Sequence, residues 1–92
     1  MSTLNGTWID VTGEEIKITE LHDIDHGISV KYSNGRGPFD GRWSVVENNI
    51  VVNVNFTDGV NPAAGRITGV LNFYGTKIYW ANDTHWTRLI TK

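Results

Sequence analysis

A chain of 92 residues without cysteine is short enough to form one domain, and it offers neither disulfides nor thiolate metal ligands. Its formal net charge of −2 argues against a nucleic-acid or anionic-membrane partner, because both select basic patches. Four Trp, three Tyr and three Phe can supply much of the apolar area that so small a core needs. We therefore expect a single β domain over residues 1–92, further stabilised by pairing as a homodimer.

The first residues, Met1–Gly6, contain neither a basic region nor an apolar run, so no signal peptide is expected. No apolar stretch approaches the roughly 20 residues needed to span a bilayer, so we expect no membrane insertion. These features predict a soluble protein that is cytoplasmic, or released without a classical signal peptide.

Short runs of alternating apolar and polar residues, separated by Gly, Asn, Asp and Pro, recur along the chain and predict strands. No segment shows a period of 3.6 residues over a helical length. The predicted strands are Thr7–Val11, Glu14–Leu21, a run through Ile28, Val30 and Tyr32, Arg42–Val46, Ile50–Phe56, Arg66–Phe73, Lys77–Ala81 and Thr84–Ile90. Short strands joined by hairpin-length turns predict an all-β fold, a small antiparallel meander of seven or eight strands, as a closed barrel or a sandwich.

The last hairpin, which turns at Asn82-Asp83, has two possible registers. With two loop residues Tyr79 would lie opposite Trp86, and with three loop residues Trp80 would lie there. A slip of one residue moves a whole row of side chains to the other face of a sheet. Which of these tryptophans belongs to the core therefore stays open at this point.

Successive connections of a meander alternate between its two ends, which brings the two long loops Ser33–Asp40 and Thr57–Ala64 to the same end. Loops longer than a hairpin needs are often functional. An aromatic ring framed by carboxylate, amide and guanidinium groups suits a sugar, because the ring covers the C–H face while the polar groups hold hydroxyls. The candidate ligand-binding residues are Arg36, Asp40, Asp58, Asn61, Trp80, Asn82 and Trp86. The alternative is that they are ordinary polar turns over structural aromatic residues.

The segment His22–His26 holds two imidazoles and two carboxylates, but the only other histidine is His85. Tetrahedral zinc needs further ligands, and no calcium loop of the D-x-D-x-D-G type is present, so a solvated loop is the better interpretation. The chain has no G-x-S-x-G elbow and no phosphate-binding loop, and a domain this small rarely excludes water from a substrate. We predict no metal, no cofactor, no catalytic residue and no enzymatic activity.

Gly6-Thr7-Trp8 on the first strand and Arg88 on the last strand resemble the pattern of the calycin barrels, the lipocalins and avidins. The resemblance implies that Trp8 closes one barrel end beneath Arg88, with a small ligand at the other end. A barrel this small would be filled largely by its own side chains.

Over nearly its full length the chain is similar to the small mushroom α-galactosyl-binding lectins of the Lyophyllum type. The similarity lies in size, composition, and the Thr-Trp segments Gly6-Thr7-Trp8 and Thr84-His85-Trp86-Thr87-Arg88. It implies an α-galactoside ligand without catalysis, a homodimer and a fungal origin. The predicted function is that of a non-enzymatic lectin for galactose-terminated glycans. The alternatives are a small-ligand barrel, or an interaction or inhibitor module that uses a sheet face or edge.

Overall fold

Every regular element that the computed structural model describes, over residues 4–57 and 65–89, is a β-strand. The strands are β1 Gly6–Ile9, β2 Glu15–Glu20, β3 Gly27–Tyr32, β4 Phe39–Val46, β5 Asn49–Asn55, β6 Arg66–Leu71, β7 Lys77–Trp80 and β8 His85–Arg88. Each strand pairs antiparallel with the next, and β8 pairs with β1, so the sheet closes into a barrel. The predicted all-β antiparallel meander is confirmed, and of its two forms the barrel is the one observed.

The closure joins the first and last strands, with Trp8 opposite Arg88 and Ile9 opposite Thr87. Following the paired residues once around the barrel returns to β1 ten residues from the starting position. Such a stagger tilts the strands strongly, by about 35–45° in barrels of this kind. An eight-stranded barrel is then just wide enough inside for side chains to fill it.

The barrel interior is built by the period-two alternation of the strands. In β5, Val52 and Val54 are fully buried, and Ile50 and Phe56, which continue the same alternation, are partly buried and pack against the core. No polar or charged residue is buried in the part of the chain that the structure describes. The buried core residues are Leu4, Trp8, Ile16, Ile18, Ile28, Val30, Tyr32, Phe39, Val52, Val54, Leu71, Ile78, Trp80 and Trp86.

The fourth strand begins at Phe39, three residues earlier than the predicted start at Arg42. Phe39 pairs with Val30, and its side chain is only 3% exposed. The gain from burying this ring overrides the loop signal of the preceding Gly-Pro sequence, because an aromatic side chain buries a large apolar area. As a result Asp40 also belongs to a strand and not to a loop.

In the last hairpin Trp86 lies opposite Ile78, a register that differs from both alternatives derived from the sequence. The loop residues are Ala81–Asp83, and the Trp80 N–H donates to the Thr84 carbonyl at 2.9 Å. Trp80 and Trp86 consequently share the inner face, and both are buried.

The barrel has two distinct ends. At the loop end β1, β3, β5 and β7 finish and β2, β4, β6 and β8 begin, as the meander predicted. At the closed end lie the β2–β3, β4–β5 and β6–β7 connections, together with the start of β1 and the finish of β8.

Candidate functional site

Five aromatic side chains fill the barrel interior toward the loop end and form the aromatic cluster: Tyr32, Phe39, Phe56, Trp80 and Trp86. They meet edge to face, at ring-centroid distances from 4.7 Å for Trp80–Trp86 to 6.5 Å for Tyr32–Phe56. Phe56 is half-buried and the other four are buried. Their rings therefore stabilise one another, and of the five only Phe56 is partly open to solvent.

The Arg36 guanidinium lies against the aromatic cluster, and the Trp80 indole N–H belongs to it. The Arg36 guanidinium carbon lies 4.4 Å from the centroid of the Tyr32 ring and 5.5 Å from that of Phe39, within cation–π range. The Trp80 Nε1 is buried and has no hydrogen-bond partner among residues 4–57 and 65–89. A buried donor without an acceptor costs about 1–3 kcal/mol. The interior next to Trp80 is thus suited to a hydrogen-bond acceptor.

At the closed end Arg88 covers Trp8. Its guanidinium carbon lies 4.3 Å from the Trp8 ring centroid, and Trp8 is completely buried. The Arg88 Nε donates to the Gly75 carbonyl at 2.8 Å, and its Nη1 donates to the Asn5 carbonyl at 2.9 Å. The Trp8 indole N–H donates to the Leu4 carbonyl at 3.0 Å. Burial lowers the pKa of Arg88, which remains charged at neutral pH.

Gly6 makes this close contact possible. A Cβ atom at position 6 would lie 3.0 Å from the Arg88 Nη1, and the Gly6 φ of 141° is one that other residues rarely adopt. The geometry implied by Gly6, Trp8 and Arg88, a tryptophan closing one barrel end beneath an arginine, is therefore present.

The predicted binding residues separate into distinct places. Arg36, Trp80 and Trp86 come together at the loop end, around the aromatic cluster. Asp40 follows the inward-facing Phe39, and so it points outward from the barrel wall. The Asn82 Oδ1 accepts from the N–H and the hydroxyl of Thr84, at 3.3 and 2.6 Å, and so builds its own turn. Asp58 and Asn61 lie outside the described residues.

Asp40 belongs to a second region, a depression of about 560 Å³ on the outside of β4, β5 and β6, named here the outer groove. Alternation places Asp40 and Arg42 side by side on the outer face of β4, and cross-strand pairing brings Asn53 opposite Arg42. The β2–β3 link supplies an apolar wall. The lining residues are Leu21, Ile24, Ile28, Asp40, Gly41, Arg42, Asn53, Asn55 and Arg66.

The polar side chains of the outer groove differ in their hydrogen bonding within the protein. The Arg66 Nη1 donates to the Asn53 Oδ1 at 2.7 Å. The side chains of Asp40, Arg42 and Asn55 make no hydrogen bond or ion pair with any described residue. The groove thus offers solvent a carboxylate, a guanidinium and an amide. Because alternate residues of a strand lie about 6.4–6.8 Å apart, Asp40 and Arg42 can reach opposite edges of a pyranose ring.

Sequence reasoning found Asp40 but not its neighbours Arg42, Asn55 and Arg66. They come from three strands, and only the pairings Arg42 with Asn53 and Asn55 with Arg66 bring them together. The period-two pattern identifies each of them as outward-facing. Their convergence depends on the register between strands, which the pattern leaves open.

The His22–His26 link shows no metal-site geometry. The His26 ring stacks on Trp43 with centroids 4.0 Å apart and planes inclined by 20°, and its Nε2 lies 3.8 Å from the Asp25 Oδ1. Within the described ranges, no group of three or more His, Asp or Glu side chains is arranged to hold a metal ion.

Comparison with protein-family models, curated proteins and solved structures found no match to this chain. In the described part of the chain, no helix is long and apolar enough to cross a membrane. The chain's own surfaces therefore supply the observations that bear on function.

Proposed function

We propose that this protein is a non-enzymatic carbohydrate-binding protein that holds its ligand in the outer groove. The observation that carries the proposal is the convergence of Asp40, Arg42 and Asn55, whose side chains have no partner among the described residues. A carboxylate accepts hydrogen bonds from two hydroxyls, a guanidinium donates, and an amide does both. Leu21 and Ile24 supply apolar contact for the C–H face of the sugar.

The open shape of the outer groove favours binding over catalysis. The depression lies on the outer wall of the barrel, where water reaches both the ligand and the polar side chains. Catalysis of glycoside cleavage depends on two carboxylates that flank the bond, one of them with a raised pKa. Among the described residues that line the groove, Asp40 is the single carboxylate.

The finer specificity that we propose is for terminal galactose-like sugars, such as α-galactosides, and it comes from the resemblance to the small mushroom lectins. The proposals of a homodimer and of a fungal origin come from the same resemblance. Binding of one monosaccharide is generally weak, so a dimer with two grooves would gain avidity for clustered glycans.

The test removes the carboxylate of the outer groove. Asp40→Asn eliminates the charge at almost constant volume, and hydrogen bonds to a charged group contribute about 1.5–3 kcal/mol each. We expect the affinity for methyl α-galactoside, measured by calorimetry, to fall about 10- to 100-fold. Asp83→Asn is the matched control, because it removes an exposed carboxylate from the β7–β8 turn, at a φ of 69° that Asn tolerates.

A glycan array with and without EDTA extends the test. Selective binding to galactose-terminated glycans in the presence of EDTA, lost in Asp40→Asn and retained in Asp83→Asn, is the expected result. Equal binding by wild type and Asp40→Asn would exclude the outer groove as the site.

A second candidate function is binding of a small, mostly apolar ligand at the loop end. It is favoured by the closure of the other end by Trp8 and Arg88, and by the Trp80 N–H, which has no partner among the described residues and would donate to the ligand. Quenching of tryptophan fluorescence by a hydrophobic dye but not by sugars, retained in Asp40→Asn and weakened in Trp80→Phe, would favour this function over the first.

A further inference from the structure

The closed end carries two aromatic side chains with an unusual degree of exposure. Phe73 is 95% exposed and Tyr74 is 81% exposed, although both are large enough to contribute to a core. They occupy the β6–β7 turn, where small polar residues are usual. Scattered surface apolar residues are ordinary, but two adjacent rings at the tip of a turn contribute nothing to the core and indicate a contact with another molecule.

The turn holds the two rings in a defined position. The Asn72 Oδ1 accepts from the N–H groups of Thr76 and Lys77, at 2.8 and 3.1 Å, and its Nδ2 donates to the Thr76 hydroxyl at 2.9 Å. The Gly75 N–H donates to the Asn72 carbonyl at 3.0 Å, and the Gly75 φ is 72°. These hydrogen bonds fix the main chain beneath the rings, so less conformational entropy is lost when the turn binds a ligand.

Beside the rings lies a cleft of about 330 Å³ between the β6–β7 turn and the β4–β5 turn, named here the closed-end cleft. The described residues that line it carry no charged side chain: Asn48, Asn49, Ile50, Leu71, Asn72, Phe73, Tyr74 and Gly75. The side chain of Asn48 makes no hydrogen bond with any described residue. Asn49 donates a long hydrogen bond of 3.4 Å to the Glu47 carbonyl, and its Oδ1 accepts none from the described residues.

We propose that the closed-end cleft is a second saccharide-binding site, specific for neutral sugars. The Phe73 and Tyr74 rings meet at 83°, so one ring can cover the C–H face of a pyranose while the other bounds its edge. The Asn48 and Asn49 amides supply both donors and acceptors for hydroxyl groups. The amides and rings among the described lining residues complement an uncharged polyhydroxylated ligand and offer no opposite charge to a charged one.

The inference takes its ligand class from the proposed function but not its location. No described residue lines both the closed-end cleft and the outer groove. One chain with two separate sites can cross-link two glycans without a second subunit. The bivalence that a lectin needs for avidity would then be a property of the single barrel.

The test maps both sites in one experiment. ¹⁵N-labelled protein is titrated with methyl α-galactoside, methyl α-glucoside and methyl α-mannoside while backbone amide shifts are followed. We expect at least one of these sugars to shift the amides of Asn48, Asn49 and Gly75 with a saturation curve of their own. Phe73→Ala and Tyr74→Ala should each weaken that binding at least 10-fold, while shifts around Asp40 stay unchanged.

The variants suit the test because both rings are exposed, so their removal leaves the core intact. Tyr79→Ala is the matched control, since Tyr79 is an exposed aromatic residue on the barrel wall, outside both sites. It should leave both sets of shifts as in wild type.

The outcomes separate the two proposals. Shifts around Asp40 alone would overturn the closed-end cleft and leave the outer groove standing. Shifts at the closed-end cleft alone would overturn the outer groove and leave the cleft standing. No shift at either place would overturn both sites. Sedimentation provides one more outcome: if Phe73→Ala converts a dimer to a monomer without changing sugar binding, the rings form an interface between copies and the second site is excluded.

Discussion

The contact of Arg88 with Trp8 offers the sharpest test of how the barrel is held closed. Arg88→Lys keeps the positive charge but removes the flat guanidinium that stacks on the indole at 4.3 Å. It also removes the fork that donates to the carbonyls of Gly75 and Asn5. Hydrogen bonds from charged groups contribute about 1.5–3 kcal/mol each, and a cation–π contact about 0.5–2 kcal/mol. A lysine can restore one bond and part of the attraction to the ring, so we expect a loss of about 2 kcal/mol.

In a domain of this size, 1 kcal/mol corresponds to roughly 4–8 °C, so the melting temperature should fall by roughly 8–16 °C. The assay is calorimetric or circular-dichroism melting, with urea unfolding as a second measure. Arg42→Lys is the matched control, because Arg42 is exposed and has no partner among the described residues. It should change stability by no more than about 0.5 kcal/mol. If Arg88→Lys and Arg42→Lys have the same melting temperature, the contact of Arg88 with Trp8 does not stabilise the barrel.

Two further predictions concern the core and the turns. Gly69→Ala would place a Cβ atom 2.7 Å from the Trp80 Cε3 and 2.8 Å from the Ile78 Cγ2, so overpacking should cost about 1–3 kcal/mol in urea unfolding. Unchanged stability would show that Trp80 does not pack on β6. Burial alone would raise the pKa of Asp10, but hydrogen bonds from the Thr12 hydroxyl and from neighbouring N–H groups outweigh it and lower the pKa below its ordinary value. At pH values above the ordinary pKa of an aspartate, wild type should therefore be more stable than Asp10→Asn. Melting curves at a series of pH values should show this difference in stability vanish as the pH falls through the lowered pKa of Asp10. A difference that persisted in acid would contradict this.

Much of the fold is predictable from the sequence because the period-two pattern responds to burial alone. Ile16 and Ile18 had to face one side and Lys17 the other whatever the neighbouring strands were. The start of β4 was harder to predict, because the burial of Phe39 inside the barrel is a tertiary effect that overrides the local turn signal of Gly37-Pro38. The last hairpin shows the same limit, since its register depends on which residue the turn begins with.

The candidate sites were harder to predict, because they depend on register and not on periodicity. Asp40 was assigned to a loop beside Trp80, whereas its position after Phe39 places it outside the barrel. Arg66 joins it only through the pairing of β5 with β6. Phe73 was predicted to end the sixth strand, where an aromatic residue is expected, and only the structure places it in an exposed turn.

The closure between β1 and β8 also has a consequence for the order of folding. Seven of the eight strand pairs join neighbours in the chain, whereas the Arg88 bond to the Asn5 carbonyl spans 83 positions. Loop-closure entropy rises with the length of the segment enclosed, so the hairpins can form early and the seam between β1 and β8 late. Interactions absent from the transition state act mainly on unfolding. We therefore expect Arg88→Lys to accelerate unfolding while leaving the refolding rate nearly unchanged in stopped-flow experiments; a slower refolding limb would place the seam in the folding nucleus. The lifetime of the native barrel, more than the speed with which it assembles, would then depend on one arginine.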